Sequence, residues 1–156
     1  MSLPTLDSKW FPAIAPAAII DNAAATGVAI DTRGGDYLEI IMNLGATDVA
    51  AVSITLEASA TSGGAYTAVS NSVFGTDAGI GGTVSVLPTA LNDGGLFGYL
   101  IDVRKLPFPF VKIIYTCGNG AAGTFISAVA RLSNLERSPR TAVEAGFKVS
   151  TALVAI

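Results

Sequence analysis

The sequence predicts an all-β fold, antiparallel sheets packed face to face as a sandwich, and three observations predict it. Short runs of alternating apolar and polar residues recur along the body of the chain. Clusters of Gly, Asn, Asp and Pro separate them, and no long apolar stripe of helical period interrupts the pattern. The 156 residues suit one domain with terminal extensions, and a composition of 51% hydrophobic against 13% charged residues excludes a disordered chain.

The first candidate strands are Ala17–Ile20 and Gly27–Asp31. In Tyr37–Asn43, Leu38, Ile40 and Met42 face one way while Tyr37, Glu39, Ile41 and Asn43 face the other. Val49–Glu57 sets Val52, Ile54 and Leu56 against Ser53, Thr55 and Glu57. Tyr66–Val69 and Thr83–Leu87 are shorter. Leu96–Val103 carries an apolar row of Phe97, Tyr99, Ile101 and Val103, opposed by Leu100, Asp102 and Arg104. Phe110–Cys117 places Val111, Ile113, Tyr115 and the single cysteine, Cys117, on one face, where the thiol reads as a small buried hydrophobe. Thr124–Leu132 closes the series. Turns fall at residues 33–36, 43–48, 62–64, 92–95 and 117–120, where Gly and Asn permit positive φ. Strands of this number and spacing predict a jelly-roll-like sandwich over residues 17–132. An immunoglobulin-like sandwich is the alternative, and the missing Cys-Trp-Cys pattern excludes only an antibody-type domain.

The ends differ from the body. Residues 1–16 hold three prolines and read as an irregular or extended arm anchored by Trp10 and Phe11. Residues 133–156 read as a C-terminal arm or interface segment, too apolar in Phe147, Val149, Leu153, Val154 and Ile156 to be a solvated tail. The opening residues lack the basic and apolar regions of a secretory signal, so an unprocessed start is expected. Ile113–Ala130 is uncharged but is broken by the Gly-rich turn after Cys117, which predicts two strands and no membrane span.

Charge and chemistry exclude more than they name. A net charge of −3 disfavours a nucleic-acid surface. The basic excess sits at the C-terminal end, where Arg131, Arg137, Arg140 and Lys148 oppose Glu136 and Glu144. The chain has no His, which removes imidazole-based hydrolases and His-ligated zinc, and one Cys builds neither a disulfide nor a thiolate cluster.

Other constellations are weaker than the ordinary reading of the same residues. Asp31-Thr32-Arg33 lacks the Gly of an aspartic-protease motif and has no second copy. Gly79-Ile80-Gly81-Gly82-Thr83 leads into a strand and lacks the Lys-Ser/Thr of a phosphate loop. Asp31, Asp36, Asp48, Asp77 and Asp93 are oxygen donors of the kind that hold Ca²⁺, but no recognised Ca²⁺ loop is present and turn aspartates are the default. Glu39 and Glu57, on neighbouring strand faces, would be the pair for a glycosidase. Tyr37, Tyr66, Phe74, Phe97 and Tyr99 are the aromatics available for sugar stacking, most of them expected in the core. Phe108 and Phe110, on a Pro-kinked connection, suit a subunit contact or a packed corner equally. No catalytic residue, cofactor or metal is assigned.

Two stretches carry a family resemblance. Residues 21–40, with Ile30-Asp31-Thr32-Arg33-Gly34-Gly35-Asp36-Tyr37-Leu38, followed by Leu44-Gly45-Ala46-Thr47-Asp48, resemble the opening of a group of small structural proteins of tailed bacteriophages. Phe110-Val111-Lys112-Ile113, a Gly-rich turn, a closing strand and Arg137-Ser138-Pro139 resemble their ending. The resemblance covers roughly residues 20–140 and is one of strands and turns. It implies a non-enzymatic virion protein on the capsid surface, made in the host cytoplasm. Its expected role is capsid decoration or cement: a homo-oligomer, a trimer, that clamps neighbouring copies of the major capsid protein, with no nucleic-acid or membrane partner. The expected interface residues are Trp10, Phe11, Phe108, Arg137, Arg140, Phe147, Leu153 and Ile156. Two other classes remain open from sequence: a carbohydrate- or receptor-binding sandwich, and another head or tail component. A hydrolase using its carboxylates ranks below both.

Overall fold

The computed structural model describes residues 7–16, 20–77, 84–136 and 146. It is an all-β sandwich. Among the described residues nine strands follow in chain order: β1 (Ser8–Ile14), β2 (Ala24–Thr26), β3 (Ile30–Asp31), β4 (Gly35–Thr47), β5 (Ser53–Ser59), β6 (Thr67–Ala68), β7 (Leu96–Asp102), β8 (Phe110–Thr116) and β9 (Thr124–Leu135). The first sheet has the order β1-β9-β4-β7; the second has β2-β8-β5-β6, with β3 also paired to β8. Every pairing is antiparallel.

The alternation in the sequence becomes the core. Leu38, Ile40, Met42 and Leu44 of β4 face inward with Ile126, Ala128, Ala130 and Leu132 of β9, against Ile54 and Leu56 of β5 and Val111, Ile113 and Tyr115 of β8. Large and small residues alternate across the first sheet. Ala130 lies between Ile40 and Phe11, and Ala128 between Met42 and Ile14, so the alanines of β9 leave room for bulky neighbours on both sides. Burying such a Leu or Ile contributes about 1.5–3 kcal/mol each, which makes these rows the main source of stability. Cys117 is buried beside them, as its strand position predicts, and desolvation raises its thiol pKa.

Several boundaries differ from those the sequence predicts. Within the N-terminal segment, expected as an irregular or extended arm, residues 8–14 form β1, paired to β9. Pro12 is accommodated because, among the described residues, β1 is an edge strand and its register shifts between Phe11 and Ile14, where the missing N–H costs no ladder bond. The predicted turn at residues 43–48 is instead the last part of β4, which passes a bulge between Leu44 and Thr47. Gly45 permits this, since a Cβ there would meet the Cβ of Phe125 at 2.9 Å. Val52 lies outside β5, which begins at Ser53, and is exposed rather than part of the Ile54 and Leu56 row. Of the predicted strand Gly27–Asp31 only Ile30–Asp31 is a strand, β3; residues 27–29 belong to none, and β2 lies before them. Residues 84–87 contain only an isolated bridge position at Val84. Most of the predicted strand Ala17–Ile20, and the Gly79–Thr83 loop, lie outside the described residues; Ile20 itself bridges Thr124.

Candidate interaction face

The two outward faces of the sandwich are unlike. On the second sheet the register sets Ser53 beside Thr116, Thr55 beside Ile114, and Glu57 beside Lys112, with Ala24 and Thr26 of β2 at the flank. That face is mostly polar, and Glu57 and Lys112 form an ion pair at 3.5 Å while Lys112 also lies over the ring of Tyr66.

The first sheet presents exposed apolar side chains in rows that they share with polar and charged ones. One runs Val129, Ile41, Gly98 across β9, β4 and β7; the next runs Ser127, Asn43, Leu96. A third runs Trp10, Arg131, Glu39, Leu100 across all four strands. Leu100 is 74% exposed, Leu96 70%, Val129 49% and Ile41 40%. Phe125 continues the surface toward an open depression lined by Pro16, Asn43, Gly45 and Ser127. Scattered single apolar residues are ordinary on a surface, whereas contiguous ones across neighbouring strands mark a surface that meets something.

One charge pair lies within this face. Arg131 and Glu39, directly opposite each other on β9 and β4, approach to 2.8 Å, and the guanidinium stacks over Trp10 at 5.8 Å. The pair neutralises itself, and the ring and Leu100 flank it with apolar surface. At one end Asp102 is held by Arg104 at 2.8 Å, and that guanidinium lies over Tyr37. The Arg104 partnership lowers the pKa of Asp102 below the usual carboxylate range.

The residues singled out by sequence are distributed as follows. Trp10 is on the apolar face, but Phe11, its neighbour, points inward against the core. Phe108 is exposed in the corner before β8, whose Pro109 carbonyl accepts hydrogen bonds from both the amide and the hydroxyl of Thr32. It is therefore a pinned corner with one aromatic outward. Arg137, Arg140, Phe147, Leu153 and Ile156 lie outside the described residues. Ile41, Val129, Leu96 and Leu100 were not among the expected interface residues. Alternation alone places each on a strand face, and only the register joins them.

The enzyme-like and sugar-binding constellations are not assembled. Glu39 and Glu57 are on the outward faces of different sheets, each paired with a base, so they are no glycosidase pair. The five aspartates serve five places: Asp31 binds Arg33, Asp36 accepts from Asn134, Asp48 from the amide of Ala122, Asp77 from that of Val73, and Asp93 from that of Thr47. Phe74 and Tyr99 meet edge to face at 5.1 Å inside the molecule, while Tyr37 and Tyr66 belong to different sheets. Among the described residues no helix is long and apolar enough to cross a membrane.

Comparison of the chain with protein families and with curated proteins finds no match to either.

Proposed function

We propose that this chain is a non-enzymatic structural protein of a virion, a capsid decoration or cement protein that forms a homotrimer and stabilises contacts between major capsid subunits. The observation that carries the reading is the apolar outer face of the β1-β9-β4-β7 sheet, set against a polar face on the other side. An interface core is depleted in charge and rich in such residues, and a chain that buries surface on folding and again on assembly can be this apolar. The resemblance of residues 20–140 to small phage structural proteins supports the virion setting.

The strand order supports a jelly roll as the finer description. With β2 and β3 counted as one interrupted strand, the first sheet reads first, eighth, third, sixth and the second reads second, seventh, fourth, fifth. That order wraps two Greek keys around one core.

The test is co-sedimentation of the purified protein with expanded heads built from the major capsid protein of the same phage, with its mass measured by light scattering. The expected result is a trimer that binds at fixed copy number and raises the temperature at which the heads open. Val129→Asp and Ile41→Asp, both at exposed positions, retain the far-ultraviolet spectrum of the parent and lose binding at least about tenfold, the equivalent of 1.4 kcal/mol. A stable monomer that ignores heads, or full binding by both variants, overturns the reading.

A further inference from the structure

The loop between β8 and β9 places a reactive pair of residues in a particular setting. Asn119 is the one asparagine of six that precedes a glycine. It is exposed, and the amide of Gly120 donates to the carboxylate of Asp21 at 2.9 Å. Packing imposes the glycine, because a Cβ on Gly120 would collide with the Asp48 carboxylate. Asp48 in turn accepts from the amide of Ala122, so Asp21 and Asp48 both hold this loop.

An asparagine before a glycine carries its own chemistry. The main-chain nitrogen of the glycine attacks Cγ of the asparagine, and the new C–N bond closes a succinimide ring. The bond from Cγ to the side-chain nitrogen breaks, and that nitrogen leaves as ammonia with the proton that the main-chain nitrogen gave up. Water then opens the ring at either carbonyl and leaves aspartate or isoaspartate. Glycine favours closure because no Cβ crowds the attacking nitrogen.

In this loop both requirements of the attack are opposed. The Gly120 nitrogen must leave Asp21 before it turns onto Asn119, which breaks a charge-assisted hydrogen bond. The negative charge that develops as it loses its proton also stands beside the carboxylates of Asp21 and Asp48. Like charges at this range disfavour the ionised form.

We propose that Asn119 is a site of spontaneous deamidation held in check by Asp21, so that the fold sets the rate at which the chain modifies itself. The inference is independent of the assembly reading. Conversion also acts back on the fold, because the altered residue lies between two ties. The carbonyl of Gly118 accepts from the amide of Asn22 at 3.1 Å, and Gly120 is bound to Asp21. Isoaspartate lengthens the main chain between them by a methylene, and either product brings a further carboxylate toward Asp21 and Asp48. Modification therefore weakens the hold of residues 21–22 on the loop.

The test is incubation of the full chain in warm, mildly alkaline buffer, folded or in guanidinium. The tryptic peptide Ile113–Arg131, in which Asn119 is the only asparagine, is followed by mass. The expected result is rapid conversion in guanidinium and slow conversion in the folded parent. Asp21→Ala, folded by its far-ultraviolet spectrum, converts at least about fivefold faster than the parent, the scale of one screened charge and one hydrogen bond. Asn119→Ser in that background abolishes the mass gain. Equal rates for the folded and denatured parent, or a folded Asp21→Ala variant no faster than the parent, overturns the proposal. Where that variant does not fold, the comparison of folded with denatured parent decides.

Discussion

The phenolic oxygen of Tyr99 lies 2.6 Å from the main-chain carbonyl oxygen of Ser72 and 3.2 Å from that of Ile54, so one side chain of β7 ties the first sheet to β5 and to the loop after β6. Its ring packs edge to face on Phe74, and desolvation raises the hydroxyl's pKa, which keeps it a donor. Tyr99→Phe keeps the ring and leaves both carbonyls without this donor. It is expected to lower unfolding free energy by about 1–2 kcal/mol. Urea unfolding with an unchanged slope checks this, and a midpoint equal to the parent's would show the bond to be dispensable.

Gly98 is required by its neighbour on β4. A Cβ there would collide with the carbonyl oxygen of Ile40, which belongs to the ladder and has no room to retreat. Gly98→Ala is therefore expected to destabilise the fold by about 1–3 kcal/mol, the usual range for overpacking. Alanine at Gly63, where a Cβ would meet nothing within 4 Å, is the control for added volume alone. Thermal melts of the two variants side by side provide the comparison.

Asp48 holds the turn before β9. Amides of the 121–123 turn, that of Ala122 first, donate to its carboxylate and lower its pKa below the usual range. The charged form is thus favoured by folding. Its contribution is present above the unfolded-state value near 4 and is lost as pH falls through the depressed folded value. Amide exchange at Ala122, corrected for intrinsic rates, should accelerate on acidification in the parent. Asp48→Asn should show fast exchange already at neutral pH.

Cys117 should be slow to modify. Its burial raises the thiol pKa and blocks access, and the reactive species is the thiolate. A thiol reagent at pH 8 is expected to label the native protein only as fast as it opens and to label it at once in denaturant. Rapid labelling of the folded chain would contradict the buried placement.

What the sequence made legible is what a two-residue period encodes. Leu38, Ile40 and Met42, the Phe97, Tyr99 and Ile101 row, and the Val111 to Cys117 face lie where alternation puts them. The period does not encode which strands are neighbours. Glu39 and Glu57 therefore look like a pair in sequence and stand on different sheets, while Ile41, Val129 and Leu100 look unrelated and share a surface. Local rules also give way to tertiary context. Pro12 reads as a strand breaker but is tolerated at an edge with a shifted register, and residues 43–47 read as a turn because a bulge uses the same small and polar residues.

The pairing of β1 with β9 has a consequence for synthesis. Among the described residues β1 pairs along its length with β9, far later in the chain, and β4 also waits for β9 along most of its length. A nascent chain exposed through residue 116 holds β5 and β8 ready to pair but has one sheet with its centre missing. Folding of the first sheet is therefore expected after translation of residue 135, and at a rate limited by long-range closure instead of by local turns. Until then the rows of β4 remain open to solvent, and a ribosome stalled before β9 would present them to chaperones.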